Sequence, residues 1–283
     1  MSCSTTDATP SACRATEAAD MTYTDVVKRA LIAGLIMSVV TGVYMLTVVE
    51  PVVDQAIALE EEMSAAEPAE AATEEGHHDE PLYTRSQQKG GGVGAMVLYA
   101  LALGLVFGTV FAWRRHLLPG ADDFGRAVWL ALMGFAAFGL APAIKYPANP
   151  PAVGDPDTVG ERTLQYVSLI VISLVLIVAL SHLSKVLRAR FDDPTRIVTV
   201  AAAAVVLFGV AFIALPGTPD SIDPAVPARL VWDFRLRSAG GLALMWIGFG
   251  LVFGWFLTRP SVTTGEAPFT GVAEKPRPVA SDA

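Results

Sequence analysis

The stretch Lys145-Tyr146-Pro147-Ala148-Asn149-Pro150-Pro151 follows directly on an apolar run that covers residues 127–144. Each proline lacks an amide N–H and fixes φ, so a helix cannot continue through three prolines in five residues. The apolar run itself is long enough to cross most of the roughly 30 Å of hydrocarbon in a bilayer. The pattern therefore predicts a membrane helix that ends near residue 144 and leaves the bilayer in a stiff, extended turn.

The composition predicts the same class of protein for the whole chain. Of its 283 residues, 53% are hydrophobic and 17% are charged, and the mean hydropathy is +0.48. Average soluble domains are about 25% charged. We predict an all-α, polytopic membrane helix bundle with about six transmembrane helices. The six apolar windows cover residues 30–49, 93–113, 127–144, 164–183, 197–215 and 239–257.

The two ends of the chain are expected to lie outside this bundle. We interpret residues 1–20 as a disordered extension, residues 21–258 as the transmembrane domain and residues 259–283 as a disordered cytoplasmic tail. Cys3 and Cys13 have no nearby Cys or His, which argues against a disulfide framework or a zinc site. Lysine and arginine are more frequent on the side of Lys28 and Arg29, so we expect both termini in the cytoplasm.

A short sequence recurs in two of the predicted helices. Residues 104–108 and 250–254 both read Gly-Leu-Val-Phe-Gly. Glycines four residues apart allow close helix packing, and two copies hint at a repeated helix pair. Chance identity in a restricted alphabet is the alternative.

The first predicted outer loop, residues 50–92, is strongly acidic. It contains eleven acids from Glu50 to Glu80, with no Lys or Arg among them, and it includes the pair His77-His78. Imidazole favours divalent first-row metals, and carboxylates add attraction for any such cation. A solvated acidic linker is the alternative. The candidate metal ligands are Glu74, Glu75, His77, His78, Asp79 and Glu80.

Other ionisable and aromatic residues lie at helix ends, where they are candidates for translocation or gating. His182 lies near the inner end of the fourth window, and intramembrane ionisable groups are functional candidates. Trp232, Arg235 and Arg237 precede the sixth window, and we expect the arginines to pair with acids such as Asp155, Asp157, Glu161 or Asp233. Membrane anchoring is the alternative for Trp232 and the arginines, with direct substrate contact as a further alternative for the arginines, and a position at the interface is the alternative for His182. The full candidate set is Lys145, Tyr146, Asn149, Arg162, His182, Trp232 and Arg235.

The sequence resembles the CbtA family of probable cobalt transporter subunits. The resemblance rests on residues 30–35, the loop ending in His77-His78, residues 145–156 with Arg162, and residues 230–238. It implies import of Co²⁺, with Ni²⁺ or Zn²⁺ as other candidates, across the inner membrane of a bacterium in connection with cobalamin. It also implies a small single-helix partner subunit that carries histidines. The family's loop often spreads several histidines, whereas this chain has only the adjacent pair.

Two functions of different class remain open on the sequence. The first is a subunit of a divalent metal uptake system, which captures the ion on the outer loop and passes it between helices. The second is a non-transporting membrane scaffold or metal sensor, favoured by the scarcity of carboxylates within the helices. The sequence has no Walker A, HExxH or GxSxG motif, so we predict neither an enzyme nor a tightly bound cofactor. Membrane lipid is an expected partner and nucleic acid is not.

Overall fold

The computed structural model describes residues 21–66, 84–151, 153–154, 156–219 and 221–259, and the part of the chain it describes contains helices but no strand. Six helical segments are long and apolar enough to cross a membrane, which confirms the predicted polytopic helix bundle. The elements are α1 (Tyr23–Tyr44), a π-helical turn (Met45–Val49), α2 (Glu50–Ala66), α3 (Arg85–Arg114), α4 (Asp123–Phe135), a second π-helical turn (Ala136–Leu140), α5 (Ala141–Lys145), α6 (Val159–Arg188), α7 (Asp193–Ala214) and α8 (Ala228–Leu257).

The first helix is longer than its apolar window predicts. We expected a span over residues 30–49 followed by a loop, but α1, the π-helical turn and α2 follow one another without a break. Thr22 caps its start by accepting a hydrogen bond from the Asp25 N–H. Pro51 cannot donate to a carbonyl in the preceding turn. The widened turn just before Pro51 takes up this irregularity, so the helix continues instead of ending.

The core of the bundle consists of α1, α3, α4 and α8. Helix α1 packs against α3 and α8, and α8 also packs against α4. Phe107 of α3 contacts Phe249 and Phe253 of α8 with ring centroids 4.8 and 5.6 Å apart, both edge to face. Such pairs add stabilisation beyond area burial. These rings are buried, and their contacts join α3 to α8, the two helices that carry the repeated pentapeptide.

Both copies of the pentapeptide make the same kind of contact. A Cβ on Gly104 would lie 2.9 Å from the Ala30 carbonyl oxygen of α1, and a Cβ on Gly254 would lie 3.2 Å from the Phe124 carbonyl oxygen of α4. A Cβ on Gly250 would overlap the methyl group of Ala131 in α4. Only glycine permits helix backbones to approach so closely. The pentapeptide thus joins α3 to α1 and α8 to α4, as two similar helix pairs.

Helices α6 and α7 lie at the side of this core. Helix α6 packs against the second π-helical turn and α5, while α7 packs mainly against α6 and contains no buried residue among those described. We call the end of the bundle that holds Tyr23 and Leu257 the proximal end. The opposite end, which holds α2 and the proline-rich residues 146–151, is the distal end.

Candidate functional site

The two π-helical turns both lie in the distal half, and each is followed two residues later by a proline, Pro51 or Pro142. In a π turn an N–H bonds to the carbonyl five residues back, as Glu50 N–H does to Met45. This shift interrupts the regular pairing of backbone carbonyls, and π turns are frequent at functional sites. The π turns therefore change which backbone carbonyls are paired within the distal half.

Side chains from other helices bind at both irregular segments. Arg237 Nη1 of α8 donates to the Val48 carbonyl at 2.9 Å, and the Tyr44 hydroxyl donates back to the Arg237 carbonyl at 3.1 Å. At the second segment, the Tyr166 hydroxyl of α6 donates to the Phe138 carbonyl at 3.3 Å. Pro142 lies four residues after Phe138 and has no N–H to offer it. Each break in helical pairing is thus met by a polar group from a neighbouring helix.

Residues 146–151 have no regular secondary structure, and contacts at three points hold them in place. Arg235 Nη2 donates to Asn149 Oδ1 at 2.7 Å, and its Nε donates to the Ala148 carbonyl at 3.3 Å. The Tyr146 hydroxyl donates to the Pro216 carbonyl at 2.9 Å. Desolvation raises the pKa of the Tyr146 hydroxyl above its usual value, which further favours the protonated form that donates this bond. The proline-rich turn is therefore fixed between α8 and the segment that follows α7.

The two distal arginines donate to neutral oxygens among the described residues. Arg235 binds an amide oxygen and a carbonyl, and Arg237 binds a carbonyl, while the expected pairing with acids stays a prediction. Asp233 instead lies 3.8 Å from Arg229 one turn away on the same helix. Asp155 lies outside the described residues. Backbone carbonyls at the π turn and the proline-rich segment thus serve as acceptors for these arginines.

A cluster of ion pairs joins α2 to the start of α3. Arg85 Nη2 lies 2.5 Å from Glu50 and 2.8 Å from Asp54, and Lys89 Nζ lies 3.0 Å from Asp54. Thr84 caps α3 and forms a capping box with Gln87. The ion pairs fix the two ends of the acidic loop side by side. Residues 67–83, which include all six candidate metal ligands from Glu74 to Glu80, lie outside the described part of the chain.

The other candidate residues occupy different places. Lys145 ends α5 with its Nζ 5.7 Å from the centre of the Tyr146 ring, and Arg162 is half-buried at the start of α6. Trp232 is 59% exposed and, with Arg235, lines an open distal cavity of about 590 Å³. His182 is exposed near the proximal end of α6, apart from the distal contacts. The structure thus brings Tyr146, Asn149 and Arg235 together and places His182 elsewhere.

Sequence reasoning missed two buried polar side chains on α6. Gln165 is 6% exposed and Ser173 is fully buried, and Gln165 Oε1 and Ser173 Oγ have no hydrogen-bond partner among the described residues. Gln165 Nε2 donates to Glu161 at 3.0 Å. A glutamine inside an apolar window was the available signal, because polar groups in the bilayer mark functional positions. No group of three or more His, Cys, Asp or Glu that suits a metal occurs within the described ranges.

Comparison with known protein families identifies the family to which this chain belongs. The model of the family described as "Probable cobalt transporter subunit (CbtA)" matches residues 23–258, which include all six apolar helices. The chain belongs to the CbtA family. Neither curated proteins nor solved structures give a match. Cobalt transport is thus the activity that the family description names.

Proposed function

We propose that this CbtA chain is the integral membrane subunit of a divalent metal uptake system whose cargo is Co²⁺. The observation that carries the proposal is the family match over residues 23–258, since it covers every helix of the bundle. The proposed orientation places the proximal end in the cytoplasm, in accord with the lysine and arginine bias. The distal end, with its polar contacts at helix breaks, then faces the outside of the inner membrane.

The acidic loop is the proposed capture device. Helix α2 has 17 residues, so it spans about 25 Å beyond the first π turn. Arg85 and Lys89 neutralise two of the eleven acids, Glu50 and Asp54. Nine acids and the His77-His78 pair remain for a cation. A high local concentration of negative charge raises the rate at which a cation arrives.

Gating is the role we propose for the proline-rich turn. Arg235 and Tyr146 hold this turn from opposite sides. Release of the Arg235 contacts with Asn149 and Ala148 would loosen the turn on the side of α8, while the Tyr146 contact still holds its other side. Lys145, Arg162 and Trp232 border the same distal surface and are proposed to shape it. A small single-helix subunit carrying histidines is the proposed partner, and bound metal is expected to exchange.

Metal uptake in cells that lack other cobalt importers tests this function. The chain is produced alone and with its genomic neighbour, and radioactive Co²⁺ uptake is measured with Ni²⁺ and Zn²⁺ as competitors. We expect saturable uptake that competing ions reduce. The second candidate function, a scaffold or sensor that does not transport, is favoured by the lack of a metal-ligand cluster among the described residues. This second function predicts that the protein inserts into the membrane but that no Co²⁺ uptake occurs, whether the chain is produced alone or with its genomic neighbour.

The capture role has its own test in the double substitution His77→Ala with His78→Ala. We expect the KM for Co²⁺ to rise by about tenfold, the effect of losing roughly 1.4 kcal/mol of binding, while the maximal rate is retained. The control is His116→Ala, which removes an imidazole from the proximal 3₁₀ turn Arg115–Leu117. Uptake unchanged at every Co²⁺ concentration would remove the histidine pair from the mechanism.

A further inference from the structure

One face of α6 contacts the third membrane span, mainly at the second π-helical turn and α5. Near its distal end Tyr166 bonds to the Phe138 carbonyl, and near its proximal end Ser181 Oγ lies 3.9 Å from the Met133 sulfur. Ser173 lies seven residues after Tyr166, so the two side chains differ by only about 20° around the helix. Ser173 therefore lies on the face of α6 that meets the third span, between the two observed contacts.

The Ser173 hydroxyl differs from other hydroxyls on the same helix. Thr163 and Ser181 each donate to the carbonyl four residues earlier, both at 2.7 Å. Ser173 Oγ is fully buried and makes no such bond, nor any other hydrogen bond with the described residues. Since serine readily bonds to its own helix, a buried hydroxyl without a bond calls for a water or an ion.

Gln165 presents a second acceptor on the way to Ser173. Its Nε2 donates to the carboxylate of Glu161, which fixes the amide and leaves Oε1 buried without a partner in the described chain. Glu161 itself is exposed at the distal end. From Glu161 to Ser173 the helix rises about 18 Å, more than half the thickness of the hydrocarbon. Oxygen atoms thus descend from the surface into the membrane on one helix.

The surface opposite these oxygens is the irregular part of the third span. The π-helical turn Ala136–Leu140 and Pro142 lie there, and α6 packs directly on that turn. Interrupted helices expose carbonyls that line ion sites in membrane transporters. Carboxylate, amide, hydroxyl and carbonyl oxygens together suit a divalent cation that keeps part of its water shell.

We propose that the seam between α6 and the second π-helical turn is the route by which the divalent cation enters the membrane, with Gln165 and Ser173 as its buried oxygen ligands. The inference rests on the proposed uptake function and adds a location to it. Arg162 lies on the same face as Ser173, eleven residues earlier, at the mouth of the seam. Arg162 and the adjacent Glu161 carry opposite charges at this mouth, so an entering cation meets both.

Uptake by seam variants gives the first test. We expect Gln165→Leu and Ser173→Ala each to lower the maximal rate of Co²⁺ uptake by about tenfold, as the loss of one ion–dipole contact would. Ser181→Ala is the matched control, because the Ser181 hydroxyl is already bonded to the Ile177 carbonyl. Uptake by both seam variants equal to that of Ser181→Ala would overturn the inference.

Accessibility of the seam gives a second test that does not depend on transport. Cys3 and Cys13 are replaced by Ser, and the Ser173→Cys variant is treated with a small charged thiol reagent from the distal side, with and without Co²⁺. We expect labelling that Co²⁺ prevents. Val175→Cys, at a position 62% exposed on the bundle surface, is the lipid-facing control and should resist the reagent.

The two tests separate failure of the seam from failure of the uptake function. If Co²⁺ protects the thiol of the Ser173→Cys variant in a chain that moves no cobalt, the metal site is retained and transport is rejected. If cobalt uptake occurs while that thiol stays unlabelled, or is labelled without protection by Co²⁺, transport is retained and this seam is rejected as the metal route.

Discussion

The proximal and distal halves of the bundle are held together by different means. In the proximal half, glycine and phenylalanine pack α1, α3, α4 and α8 tightly, and the repeated pentapeptide makes the same contact twice. In the distal half, arginine and tyrosine side chains bind carbonyls where π turns and prolines interrupt the helices. Dense packing tolerates little change, whereas a few polar contacts can open and close. We propose that the first half supports the bundle and that the second half handles the cation.

The largest effect is expected from Gly104→Ala in the packed half. The new Cβ would lie 2.9 Å from the Ala30 carbonyl oxygen, so α1 and α3 must move apart. Overpacking of this kind costs roughly 1–3 kcal/mol of unfolding free energy. Thermal unfolding in detergent measures the loss.

The matched control for Gly104→Ala is Gly209→Ala on α7. No atom from outside the local helix backbone, in the described part of the chain, lies within 4 Å of a Cβ at Gly209. This variant should therefore retain or gain stability, by up to about 1 kcal/mol, because alanine favours helix. Equal effects of the two substitutions would mean that the pentapeptide contacts do not hold the proximal half together.

The next effect is expected from Arg235→Ala in the distal half. Asn149 and the Ala148 carbonyl lose the donor that Arg235 supplies, and the proline-rich turn loses its link to α8. We expect Co²⁺ uptake to fall by about tenfold, the rate effect of roughly 1.4 kcal/mol, while the amount of inserted protein stays the same. Arg229→Ala is the control, since the Arg229 side chain is 92% exposed. A parallel fall in protein level and uptake would make Arg235 a support residue.

The smallest effect is expected from the ion pairs at the base of the acidic loop. Arg85 and Asp54 are both partly exposed, with 36% and 47% of their side-chain surface accessible. Pairs of this kind contribute about 0.2–1 kcal/mol and weaken with salt. A double-mutant cycle on the unfolding free energy, with Arg85→Ala and Asp54→Asn, should give a coupling energy in that range at low ionic strength. A coupling of zero would show that the ion pairs do not fix the loop.

The sequence was sufficient for the overall architecture because six apolar runs outweigh every local irregularity. It placed the end of the third span at Lys145 correctly, since three prolines there prevent a helix. It failed at Pro51, where the π turn lets the helix continue to Ala66. One proline can be absorbed by a widened turn, and no pattern in the residues themselves distinguishes that outcome from a break.

The candidate site was less accessible from the sequence. Arg235 was selected as an outer basic residue at a helix end, but its partner Asn149 lies 86 positions away and is an amide. Gln165 and Ser173 were passed over because hydropathy averages hide a single polar side chain inside an apolar run. Their significance comes from burial without a partner in the described chain, which only a three-dimensional arrangement reveals.

Movement of Co²⁺ into proteoliposomes that contain the purified chain tests the central claim most directly. A trapped dye that Co²⁺ quenches reports the ion's arrival, with empty liposomes and Gly209→Ala as references. The chain is reconstituted alone and with its genomic neighbour. We predict saturable quenching that Gln165→Leu slows and Gly209→Ala does not. Quenching no faster than in empty liposomes, in both reconstitutions and with folded protein confirmed, would contradict the assignment of cation passage to this bundle.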